Sequence, residues 1–117
     1  MAIERFLEND KMSKYVIHNG TVYMSGQVAD DPSLDFEGQL QQILAKIDSQ
    51  LSDIGIDRKH LLSAMVWIDD YKKWGRLNQI WVKWVPQGHK PVRSCVEAKL
   101  AFPEYQVEIA VIAALKP

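Results

Sequence analysis

The sequence predicts one α+β domain, a mixed β-sheet with two helices packed on one face. Three observations carry this. Two segments, 36–54 and about 71–85, repeat apolar residues at three- and four-residue steps. Five shorter segments are rich in β-branched residues and bounded by turn residues. Their order is strand-strand-helix-strand-helix-strand-strand. A chain of 117 residues has room for one core, so residues 1–117 are expected to form a single domain. Folding should bury roughly two-thirds of the unfolded surface, enough without disulfide or metal.

The elements follow in order. An extra edge strand is expected near Arg5-Phe6-Leu7. Tyr15 to Gly26 reads as a hairpin around Asn19-Gly20, the preferred pair for a type I′ turn that needs φ > 0 twice. In that register Ile17 faces Val22, Val16 faces Tyr23 and Tyr15 faces Met24. Asp30-Asp31-Pro32-Ser33 offers helix-start chemistry, with proline in the first turn. Phe36, Leu40, Ile43, Leu44, Ile47, Leu51 and Ile54 line one helical face, and Gly55 stops the helix. Leu61 to Ile68 is nearly all apolar and reads as a central strand. Asp69-Asp70 caps a second helix from Tyr71 to about Val85, ended by Pro86. Trp74, Trp81 and Trp84 fall on one side of it and read as core, with a ligand platform as the alternative. Pro91–Glu97 and Val107–Ala113 are the closing strands.

Two helices cover one face of such a sheet. The other carries Val16, Tyr23 and further apolar residues, which predicts burial against other copies in a closed ring.

Composition removes several functions. Fourteen basic and fifteen acidic residues leave a net charge of −1, with no basic footprint for nucleic acid or an anionic membrane. One cysteine, Cys95, allows no internal disulfide, and the three histidines are scattered. No metal site is expected. No apolar run suits a signal peptide or membrane span. The expectation is a soluble, cytoplasmic protein of a reducing compartment.

The closing strands each carry a charge that an apolar strand should avoid, Arg93 and, fifteen residues later, Glu108. If these strands form a hairpin closing near Leu100-Ala101, the two charges lie opposite or nearly so. Alternation groups Arg93 with Cys95 and Glu97, and Glu108 with Gln106, Ala110 and Ile112. A structural ion pair is one reading. The other is a working site. An Arg fork grips a carboxylate through two hydrogen bonds, and a partly desolvated Glu serves as general base or acid. Cys95 reads as a small buried residue, Ser25 as a strand-end polar group, and Asn78 as either a ligand contact or an exposed residue.

Ser25-Gly26-Gln27 after a hairpin, Asn78 in the second helix, Arg93-Ser94-Cys95-Val96-Glu97, and Val107-Glu108-Ile109 followed by Val111-Ile112-Ala113 together resemble the Rid (YjgF-type) family of reactive-intermediate deaminases. The resemblance spans about Val16 to Ala114. It implies a chorismate-mutase-like α+β fold, a homotrimer, and a site in each inter-subunit cleft. It implies hydrolysis of 2-aminoacrylate-type enamines and 2-imino acids to 2-keto acids and ammonia, as in 2-iminobutanoate/2-iminopropanoate deaminases, without a cofactor. By the resemblance Arg93 clamps the substrate carboxylate and Glu108 positions or activates water. Ser25, Gly26, Asn78 and the backbone around Cys95 line the pocket. Where the family carries Gly-Pro-Tyr before the hairpin, this chain has Lys11-Met12-Ser13-Lys14, and Tyr15 follows three residues after Met12. That difference motivates a second hypothesis, a non-catalytic module that binds small carboxylates such as 2-keto acids in the same cleft. A third reading, ribonuclease or RNA binder, conflicts with the near-neutral charge.

Overall fold

The computed structural model describes residues 2–116. Among these, six strands form one sheet and two α-helices pack against it. The strands are β1 (Glu4–Phe6), β2 (Tyr15–His18), β3 (Thr21–Met24), β4 (Leu61–Ile68), β5 (Val92–Glu97) and β6 (Val107–Ala114). The helices are α1 (Phe36–Ile54) and α2 (Trp74–Trp84). Their order across the sheet is β1-β2-β3-β6-β4-β5.

The β2–β3 hairpin has the expected register, with Tyr15 opposite Met24 and Ile17 opposite Val22. Asn19 and Gly20 both take positive φ, 53° and 77°. Val22 and Met24 point into the core, so this face is the one the helices cover. The α1 stripe from Phe36 to Leu51 is buried, and Gly55 ends the helix in the left-handed conformation at φ 92°. The start lies later than the Asp30–Ser33 expectation. Asp35 is the N-cap and accepts from the Gly38 amide, whereas Asp31 accepts from the Ser33 amide in a separate turn that leaves Pro32 outside the helix. The second helix begins as a 3-10 turn at Tyr71–Lys73, capped by Asp70, and becomes α-helical at Trp74.

The expected closing hairpin does not form. Strands β5 and β6 are not a hairpin, because β4 lies between them. It pairs parallel with β5, Ala64 beside Arg93, and antiparallel with β6, Trp67 beside Glu108. The physical reason is composition. Leu61–Ile68 is apolar on both faces apart from Ser63 and takes a central place with partners on both sides. Strand β5 is largely exposed and sits at the edge, reached from β4 by the α2 crossover.

The aromatic stripe divides as well. Trp81 and Trp84 belong to the core, but Trp74 is 48% exposed. It lies at the start of α2, over the exposed edge strand.

Buried Gln39 ties α1 to the β5–β6 connection. Its amide donates to the carbonyls of Pro32, Leu34 and Glu104, and its carbonyl accepts from the Gln106 amide. The sheet face away from the helices remains open. Its Tyr23, Val92 and Val96 are exposed, and Val16, Met65, Trp67, Ala110 and Ile112 are only partly covered.

Candidate functional site

Arg93 and Glu108 occupy opposite faces of the sheet. Residues paired across strands point to the same side. Ala64, beside Arg93, is buried under the helices. Trp67, beside Glu108, lies three residues further along β4 and therefore on the open face. The two charges are also separated by a whole strand, roughly 10 Å across and roughly 10 Å along the sheet. They form no ion pair, and within one chain they cannot touch the same small molecule.

Arg93 is held by α2. Its Nη1 donates to Asn78 Oδ1 at 2.8 Å. Its guanidinium carbon lies 5.0 Å from the Trp74 ring centroid and 5.5 Å from that of Trp81. Trp74, Asn78 and Trp81 are spaced four and then three residues apart, which stacks them on one side of α2, facing β5. The plane of the guanidinium is thus fixed by aromatic contact and one hydrogen bond. No hydrogen bond from its Nε or Nη2 is made to another described residue, so that edge of the fork remains available to a carboxylate.

Cys95 points to the same side as Arg93, two residues along β5, and is half-buried. Burial raises its thiol pKa, opposed by the positive charge of Arg93. Glu97, next on that side, accepts from the Tyr71 amide at 2.8 Å.

Glu108 stands on the open face, half-buried. Burial raises its pKa above the ordinary carboxylate value. Its neighbour is Gly26, just past β3, where the chain bridges to β6 through Gln27 and Ile109. A Cβ at Gly26 would collide with Glu108 Oε2, so the absence of a side chain there makes room for the carboxylate. Ser25 precedes it; its carbonyl and hydroxyl accept from Gln27 Nε2 at 3.1 and 3.3 Å.

The six residues singled out from sequence therefore form two half-sites. Arg93, Asn78 and Cys95 make one under the helices at the β5 edge. Ser25, Gly26 and Glu108 make the other on the open face. Asn78 stands behind Arg93 as its support. Trp74, which the sequence reads as core with a ligand platform as the alternative, joins the first half-site beside Asn78 and Trp81. Met12 is exposed in a turn held by Asn9, whose Oδ1 accepts from the Lys11 and Met12 amides. Tyr15 points toward the helices and stacks on Phe6 at 4.7 Å, away from Glu108. Among the described residues no three His, Cys, Asp or Glu are grouped to hold a metal ion. Among the described residues no helix is long and apolar enough to cross a membrane.

Known proteins match the chain along nearly its whole length. The sequence profile of the family described as Endoribonuclease L-PSP matches residues 3–115. A RutC family protein of Haemophilus influenzae is 39% identical, with 97% of this chain and 98% of that protein covered. The RutC family protein YoaB of Escherichia coli is 36% identical, with 98% and 100% covered. Among solved structures, an uncharacterized protein from Pseudomonas aeruginosa is 42% identical at a TM-score of 0.92, covering 97% of this chain and 98% of that one. A YjgF family member from Neisseria meningitidis is 35% identical at 0.93, covering 100% and 98%. The fold, the ordered half-site residues and these full-length matches agree, and the chain belongs to the YjgF/Rid (RutC, endoribonuclease L-PSP) family.

Proposed function

We propose that this protein is an enamine/imine deaminase that hydrolyses 2-imino acids to 2-keto acids and ammonia, in clefts between copies arranged as a homotrimer. The observation that carries the proposal is the oriented guanidinium of Arg93, held by Asn78 and Trp74 with one edge free. The opposite-face placement of Glu108 supports the inter-subunit cleft. Arg93 of one copy and Glu108 of a neighbour can face a common substrate, whereas the pair within one chain cannot. The apolar open face supports self-association.

The chemistry needs no redox partner. Arg93 grips the substrate carboxylate and fixes C2. A water attacks C2 of the imine as Glu108 accepts a water proton, forming a C–O bond and leaving the former C=N electron pair on nitrogen. Glu108 returns that proton to nitrogen to give the carbinolamine, then carries the hydroxyl proton to nitrogen as the C=O bond forms and the C–N bond breaks, which releases ammonia. An enamine such as 2-aminoacrylate enters after protonation at its terminal carbon. The raised pKa of Glu108 suits a group that must both take and return a proton. Cys95, favoured as a neutral thiol, takes no nucleophilic part.

The test couples the purified protein to a serine or threonine dehydratase and follows 2-keto acid formation. Hydrolysis should exceed the buffer rate, and Arg93→Ala should lower kcat/KM by about a hundredfold or more, as expected for loss of a charged clamp. No acceleration with any dehydratase- or oxidase-derived imine, or an Arg93→Ala variant as active as the parent, defeats the proposal. Exposed Met12, in place of the family tyrosine, favours one second reading, binding of 2-keto acids without turnover. Saturable calorimetric binding with no hydrolysis would select it.

A further inference from the structure

We infer that Trp74 and Tyr71 form a side-chain pocket, and that it directs the enzyme toward 2-imino acids with uncharged, branched or aromatic side chains. This rests on the deaminase reading in taking Arg93 as the carboxylate anchor. A cleft of about 470 Å³ opens beside Arg93, lined by Ile68, Tyr71, Trp74, Cys95, Val96 and Glu97. Trp74 belongs to both places, since its ring also contacts the Arg93 guanidinium.

The spacing selects the substrate class. Cys95 and Glu97 are the next same-face residues on β5, so the cleft runs on from Trp74, which touches the guanidinium, to a point roughly 14 Å along the strand from Arg93. The single side-chain carbon of 2-aminoacrylate leaves most of that length empty. A branched four-carbon or benzyl side chain reaches along it. The walls are chiefly apolar, with Trp74 48% and Tyr71 67% exposed. Large aromatic surfaces left uncovered at a cleft mouth favour an apolar group laid against them. Glu97 contributes the negative charge, its carboxylate tied to the Tyr71 amide. It disfavours an acidic side chain.

The test measures binding and turnover separately, on the full-length protein. Calorimetry compares pyruvate, 4-methyl-2-oxopentanoate and phenylpyruvate; hydrolysis compares the imines that an amino-acid oxidase makes from alanine, leucine and phenylalanine. The larger acids should bind about tenfold more tightly than pyruvate, the lower end for added apolar bulk in a hydrophobic pocket. Trp74→Ala should abolish that ratio and Trp74→Phe should keep most of it. The ratio isolates the pocket, because loosening Arg93 would weaken all three acids alike. Equal affinity for the three acids, no binding of any, or a preference that survives Trp74→Ala overturns the inference, including the case in which a neighbouring copy fills the cleft. Imine hydrolysis without size preference would overturn the pocket and leave the deaminase reading standing. Size-selective binding without hydrolysis would do the reverse.

Discussion

Gly26→Ala separates positioning of Glu108 from folding. Gly26 is not in the left-handed region, so its backbone accepts any residue. The added Cβ would lie 3.1 Å from Glu108 Cδ and 3.3 Å from Cγ, and would collide with Oε2. Reaching ordinary contact requires the carboxylate to move by about 1 Å or more. The moving atoms end a flexible side chain beside solvent, so the fold should tolerate the shift. Glycine-to-alanine replacement also restricts the unfolded chain, which favours folding by about 0.4–1 kcal/mol. The thermal midpoint should therefore hold or rise slightly. A misplacement of about 1 Å costs on the order of a hundredfold in rate, about 2.7 kcal/mol. The assay is kcat/KM for 2-iminobutanoate hydrolysis beside a thermal melt. In a double-mutant cycle Gly26→Ala should add little to Glu108→Gln, because both act through one carboxylate. Parent-like activity in Gly26→Ala would refute the reasoning, as would a rate loss that merely follows a fall in the melting temperature.

The other predictions address separate contacts. Glu108→Gln should remove hydrolysis by about a hundredfold or more. It should also flatten the pH dependence of stability above the ordinary carboxylate range. Burial raises the folded-state pKa, so the folded protein holds its proton to higher pH than the unfolded chain, and stability is lost as pH rises through the raised value. Melts across that window check this. Asn78→Ala removes one hydrogen bond to a charged, half-exposed group and should raise KM about tenfold with little change in kcat, since the carboxylate is gripped alike before and during reaction. Gln39→Leu leaves the part-buried Gln106 amide and the carbonyls of Pro32, Leu34 and Glu104 without their partner, and urea titration should show a loss of about 1–3 kcal/mol. Ala110→Arg puts a charge in the middle of the open face, and sedimentation should then find a smaller species than the parent assembly.

Local structure was legible because its signals are local. Asn19-Gly20 specified a turn and thereby a register, and the α1 stripe specified a buried face. Leu61–Ile68 announced a central strand by lacking any polar face. Strand neighbours were less legible. Alternation along β5 and β6 assigned each residue a face relative to its own strand, but nothing in either segment says that β4 lies between them. Arg93 and Glu108 thus looked like facing charges when the Ala64 and Trp67 registers put them on opposite sides. The site residues were conspicuous as charges in apolar strands; their separation into two half-sites depended on non-local pairing. Trp74 shows the same limit. Its helical spacing was plain, but its exposure follows from sitting over an edge strand.

The opposite-face arrangement makes activity a shared property under the proposed cleft. A subunit with Arg93→Ala keeps a sound Glu108, and one with Glu108→Gln keeps a sound Arg93. Each variant alone should be inactive. Refolded together in equal amounts, they should regain about one quarter of the parent clefts by random assortment, because each cleft draws its two halves from different copies. Dilution below the dissociation constant of the assembly should silence the parent protein without unfolding a single chain. Two dead proteins that revive on mixing would be the genetic signature of a sheet that carries its anchor on one side and its base on the other.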